Sequence, residues 1–130
     1  MNWVRAYFDC STDHAWLALR TQIRRDVDAY KELAGSLPGS PVEASYSDVQ
    51  VTVSRRTTDS KVWVTVSLSG NAIVILTPNA DNPNRPKAAH VLPRVNNAGE
   101  CRLVIEGDEE EWEFWQVSRR ILTPVLFFTM

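Results

Sequence analysis

Residues 47–77 read SDVQVTVSRRTTDSKVWVTVSLSGNAIVILT, and the fold of the chain turns on them. Val49, Val51 and Val53 alternate with Gln50, Thr52 and Ser54. Val62, Val64, Val66 and Leu68 alternate with Trp63, Thr65 and Ser67. A period of two marks a half-buried strand, and β-branched Val and Thr suit its pleated surface. Residues 55–60 form a polar break. Ser69-Gly70-Asn71 supplies a second turn, with Gly70 able to take a positive φ. Residues 72–76 are apolar on both faces, so they belong mid-sheet or beneath a helix. Three antiparallel strands are predicted, with one face that helices must cover and another left partly wet.

Toward the start of the chain, Trp16, Leu19, Ile23, Val27, Tyr30 and Ala34 recur every three or four residues. That spacing predicts a helix with one stripe against a sheet. Ser11 or Thr12 stands at its N-cap, Asp13 lies where the macrodipole favours an anion, and Gly35 ends it. Residues 2–8, NWVRAYF, are short and aromatic and fit either a strand or a helical turn. Residues 37–41, LPGSP, are a connector. Residues 42–46 extend the first strand backwards or make an edge piece.

Toward the end, residues 78–100 (PNADNPNRPKAAHVLPRVNNAGE) hold four of the seven prolines. They read as a long, mobile functional loop, or as one that hides a strand at 90–95, where Pro93 demands an edge position. Residues 101–106, CRLVIE, form a strand stopped by Gly107. A second helix is predicted over 108–122. Asp108 caps it, Glu111 follows as in a capping box, Arg119 and Arg120 sit at its negative end, and Pro124 terminates it. Its apolar arc takes in Phe114, Val117 and Ile121, with Trp112, Trp115 and Leu122 beside them.

The architecture expected is α+β in a single domain, residues 1–130. An N-terminal helix leads into an antiparallel β-meander of four to five strands, and a C-terminal helix packs on the sheet. This order of elements is similar to that of frataxin-like proteins and of small secretion-chaperone-like domains. The likeness is one of arrangement, with no shared motif, and fold does not fix function.

Charge is nearly balanced, 14 basic residues against 16 acidic, which argues against nucleic acid or an anionic membrane as partner. Eleven of the basic residues are Arg, the side chain suited to planar bidentate pairing. No charged start precedes an apolar run, and the final PVLFFTM is too short to span a bilayer. The chain therefore reads as cytoplasmic, with Cys10 and Cys101 reduced; a Cys10–Cys101 bridge is the alternative. A chain of this length is expected to need neither metal nor disulfide for stability.

No phosphate-binding Gly-rich loop, GxSxG or HExxH occurs. Cys10, His14, His90 and Cys101 are zinc-ligand types, but their spacing matches no zinc-binding pattern. A Cys–His nucleophilic pair lacks an orienting third group. Asp9 and Asp13 read as first-turn groups, and the acidic run 107–111 as helix capping. No catalytic residue, metal or cofactor is assigned.

Three features point to binding instead. Trp63 falls on the polar face of its strand, where an exposed indole is a binding anchor unless the second helix or residues 126–128 cover it. Arg85, Lys87, His90 and Arg94 form a cationic set suited to an anionic ligand or an acidic partner. Trp112, Phe114, Trp115, Phe127 and Phe128 exceed what one small core absorbs. The leading expectation is a non-enzymatic binding or adaptor domain that takes a protein partner, as a homodimer. The alternative is a small-molecule pocket or enzyme between the long loop and the sheet, using Arg85, His90 and Arg94.

Overall fold

The computed structural model describes residues 2–35, 41–57 and 60–127. Most of the 37–41 connector, the tip of the polar break at Thr58 and Asp59, and Phe128 lie outside the described residues. Two helices open the chain: α1 (Trp3–Asp9) and α2 (Thr12–Ala34). Seven strands follow: β1 (Val42–Tyr46), β2 (Gln50–Arg56), β3 (Lys61–Ser69), β4 (Ala72–Thr77), β5 (Lys87–Val95), β6 (Cys101–Ile105) and β7 (Glu111–Trp112). Helix α3 (Phe114–Leu126) closes it. The strands pair antiparallel in sequence order, one seven-stranded meander. The α+β class, the single sheet and the closing helix match the sequence reading; the sheet has two to three more strands than expected.

Alternation decides which face is covered. Val51, Val53, Val64, Val66, Ile73, Ile75, Val91 and Leu103 share one face and are buried. Leu19, Ile23 and Val27 of α2 and Val117, Ile121, Leu122 and Val125 of α3 meet them there in a single core. Each such side chain, fully buried, contributes roughly 1.5–3 kcal/mol relative to exposure. Two polar links fix the helices in register. The Trp16 indole N–H donates to the Asp48 carbonyl at 2.7 Å. Ser118, fully buried on α3, donates to Asp26 of α2 at 2.7 Å. At the far end of α3, Arg55 donates to the Leu126 carbonyl at 3.1 Å, placing a cation where the helix dipole is negative.

The 78–100 region is only partly loop. β5 takes nine of its residues and lies inside the sheet, between β4 and β6. Pro93 is tolerated for a local reason. His90 accepts from the Glu106 N–H, so even-numbered residues of β5 turn their backbone groups to β6 and odd-numbered ones to β4. The last β4 pairing is Ile73↔Val91, so the missing N–H of Pro93 faces a side where β4 has already ended.

The second helix starts at Phe114, not near Asp108. Gly107 turns at φ 89°, and Asp108 accepts from the Glu110 N–H at 3.0 Å in a local Asx turn. Glu111 and Trp112 then pair with Val104 and Leu103 as β7. The capping box exists five residues later than expected, between Glu113 and Gln116. Pro124 does not end the helix. It is exposed in the last turn, and the burial of Val125 and Leu126 carries the helix past it.

The expectation of two reduced thiols is also corrected. Cys10, at the C-cap of α1, is disulfide-bonded to Cys101 at the start of β6, with Cα atoms 5.3 Å apart. The bridge spans 91 positions of sequence and staples the α1–α2 corner to the end of the sheet where β5 turns into β6.

Candidate binding surfaces

Two surfaces lie outside the core. The first is the face of the sheet opposite α2 and α3. Register aligns it in rows: Ser54 and Trp63; Thr52, Thr65, Leu76 and Ala88; Gln50, Ser67, Val74 and His90. Leu92 and Val104 oppose each other on the next row, beside Glu111. The apolar members of these rows run from β3 to β6 and keep part of their surface in solvent. Among the described residues neither cover expected for Trp63 is there. α3 packs on the other face, Leu126 is buried in the helix-side core, and Phe127 meets the Tyr30 ring of α2 at 5.4 Å. Ser54, on the same face and flanked by Glu43 and Trp63, is nonetheless buried.

The residues chosen from sequence are not brought together. Trp63, His90 and Arg94 share the open face. Row spacing puts Trp63 about 16 Å from His90 and nearly 30 Å from Arg94. Lys87 has the opposite parity, pairing with Thr77 at the sheet's end. Arg85 lies in the β4–β5 loop, its N–H bonded to the Asn82 carbonyl. His90 stands 3.7 Å from Glu106, and Arg94 stands 3.7 Å from Glu111. Arg102, directly across from Arg94, pairs with Glu100 at 3.0 Å and Glu113 at 3.7 Å. A groove of about 520 Å³ runs past Arg94, residues 95–98 and Glu111. The Glu111 carboxylate within it competes with any anion for Arg94.

The four Cys and His residues do not converge. Both thiols are consumed in the bridge. His14 faces the Ser11 hydroxyl at 2.8 Å and the Phe8 ring at 5.0 Å. Among the described residues no group of three or more His, Cys, Asp or Glu is placed to hold a metal. No helix there is long and apolar enough to cross a membrane.

Of the five surplus apolar residues, Trp112 and Phe114 pack against the core, while Trp115 and Phe127 are exposed. Arg120 covers the Trp112 ring at 5.1 Å and Arg119 the Trp115 ring at 5.4 Å.

The second surface is α1, which sequence reading left open between strand and helix. Asn2 caps it, accepting from the Arg5 N–H at 3.0 Å, and Arg5 pairs with Asp9 at 3.0 Å. Trp3, Val4, Tyr7 and Phe8 fall on one side and are 64%, 58%, 59% and 63% exposed. No residue of α1 is buried. The signal was present: apolar positions i, i+1, i+4 and i+5, an Asn cap, and an (i, i+4) ion pair.

Compared with family models, with curated proteins and with solved structures, the chain finds no match in any of the three.

Proposed function

We propose that this chain is a non-enzymatic binding domain that acts as an adaptor through protein–protein contacts and works as a homodimer. The observation that supports it most directly is α1. Seven residues are too few for a helix to persist on its own, and although α1 lies beside β6, none of its residues is buried there. Its stripe of Trp3, Val4, Tyr7 and Phe8 faces solvent, while the Cys10–Cys101 bridge pins its end. Aromatic anchors on a pre-positioned helix are the means by which a groove on a partner is filled.

A photo-crosslinking residue in place of Tyr7 tests this in cells. The expected result is one adduct of defined mass, lost when Trp3 and Phe8 are both changed to Ala. An unadducted chain at every expression level would count against the adaptor reading.

The compartment belongs to the same proposal. The sequence reading was cytoplasmic; a stable disulfide favours an oxidising compartment. In the cytoplasm the staple would be open for most of the chain's life. Alkylation of cells before lysis separates the two, since blocked thiols at Cys10 and Cys101 mean a reducing home.

A further inference from the structure

We propose that the open face of the sheet seats a second copy of this chain, on a two-fold axis that passes close to Leu76 and Ala88. The proposal rests on the binding-domain reading and names the partner of one of its surfaces.

Size is the first argument. Seven strands about 4.8 Å apart and about six residues long on average give a footprint of roughly 600 Å² before side-chain relief is counted. A standard interface buries about 800 Å² per partner, so one face of this sheet supplies nearly the whole of a dimer contact. Its apolar members, Trp63, Val74, Leu76, Ala88, Leu92 and Val104, form a band between the charged corners, interleaved with Thr52, Thr65, Ser67 and His90.

Charge is the second. Arg56 and Lys61 are directly opposite each other on β2 and β3, and like charges so placed repel. Among the described residues neither has a carboxylate within ion-pair distance. The other cation pair on this face, Arg94 and Arg102, is neutralised by Glu111, Glu100 and Glu113. Diagonally across from Arg56 and Lys61 lies the acidic corner. Glu106 and Glu111 flank a turn that adds Asp108, Glu109 and Glu110. His90 and Arg94 face Glu106 and Glu111 there, and the carboxylates outnumber them.

An isologous contact requires a patch that complements itself. The midpoint between the two corners falls at Leu76 and Ala88, which oppose each other on β4 and β5. A two-fold axis parallel to the sheet and about 5 Å above its open face at that point, perpendicular to the line between the corners, exchanges them. Each Arg56–Lys61 pair then meets the acidic turn of the other copy. The same operation lays Trp63 of one copy over the His90–Leu92 stretch of the other. The two residues are about 16 Å apart within a chain. The strands of the two sheets cross steeply, within the orthogonal class of sheet packing.

Sedimentation equilibrium on the purified, oxidised protein tests this, with circular dichroism on every variant to confirm the fold. The wild type should be a dimer at micromolar concentration. Leu76→Arg should make it a folded monomer. Lys61→Glu and Glu106→Lys should each weaken the dimer about tenfold, and the double variant should recover most of that loss.

A wild-type dimer that survives Leu76→Arg, or charge variants that fail to compensate, overturns the proposal. A wild-type monomer that still captures a protein through Tyr7 overturns it as well, but leaves the adaptor reading standing. A monomer that captures nothing removes both.

Discussion

Along β3, Val64 and Val66 are each 1% exposed, while Trp63, Thr65 and Ser67 between and beside them keep part of their surface in solvent. The strand is the same, and so is its pairing to β2. The difference lies in what stands on each side among the described residues: two helices and a closed core on one face, only neighbouring side chains on the other. The covered face is therefore where stability is concentrated, and the open face is where a partner can be gained without cost to the fold. That division predicts how the two respond to the same kind of change.

The largest effect should come from the staple. A bridge closing a loop of 91 positions restricts the unfolded chain by up to about 5 kcal/mol on the loop-entropy account. Cys10 also sits at the corner from which α2 sets off across the covered face. Urea unfolding with and without reductant should show a large drop in midpoint, with the reduced protein still folded in mild buffer. An unchanged midpoint would mean that the bridge is not formed in solution.

Next come paired substitutions on one strand. Val64→Ala removes two methyl groups from the core and should cost about 2–3 kcal/mol. Thr65→Ala, one residue on, loses the hydroxyl contact to Thr52 at 3.2 Å and should cost about 1 kcal/mol or less. Measured in the monomeric Leu76→Arg background, equal losses at the two positions would show that the open face is covered within a single chain, and the comparison between faces would fail. A similar contrast applies at the helix interface. Ser118→Ala leaves the Asp26 carboxylate to Gln22 alone and should cost about 1–2 kcal/mol.

How much of this was legible follows from the same division. Alternation in 49–68 showed which residues share a face, because a strand with one wet side must alternate. The α2 stripe was readable for the same reason, since Trp16, Leu19, Ile23 and Val27 face one surface only. The reading failed where local chemistry is ambiguous. Asp108 and Glu111 fit a helix cap, yet Glu113 and Gln116 make it, because Glu111 and Trp112 gain more by adding a strand to β6. Pro93 looked like an edge residue, and is one only on its β4 side. The bridge depends on proximity across 91 positions, which no spacing rule supplies. The cationic set at 85–94 failed as a cluster because alternation along β5 sends Lys87 to one face and His90 and Arg94 to the other.

The smallest effect should run the other way. The Tyr46 hydroxyl lies on the covered side of β1, buried without a hydrogen-bond partner, and Arg24 rests over its ring at 4.9 Å. Burial raises the Tyr46 pKa above the ordinary phenol value of 10.0, Asp28 adds to the rise, and Arg24 and Arg20 pull against it. The folded state therefore favours the protonated form. The stability this represents is complete below pH 10 and is lost as pH climbs through the raised pKa, because the unfolded chain ionises first. Tyr46→Phe keeps the ring under Arg24 and removes only the unpartnered hydroxyl. It should be neutral or stabilising by up to about 1 kcal/mol at neutral pH. It should also flatten the fall in stability at alkaline pH, and remove the raised phenol ionisation of Tyr46 from the ultraviolet titration. A loss of more than 1 kcal/mol would mean that the hydroxyl has a partner in solution. The rim of the covered face would then be wetter than its core, and the boundary between the two faces less sharp than the burial of Val64 and Val66 suggests.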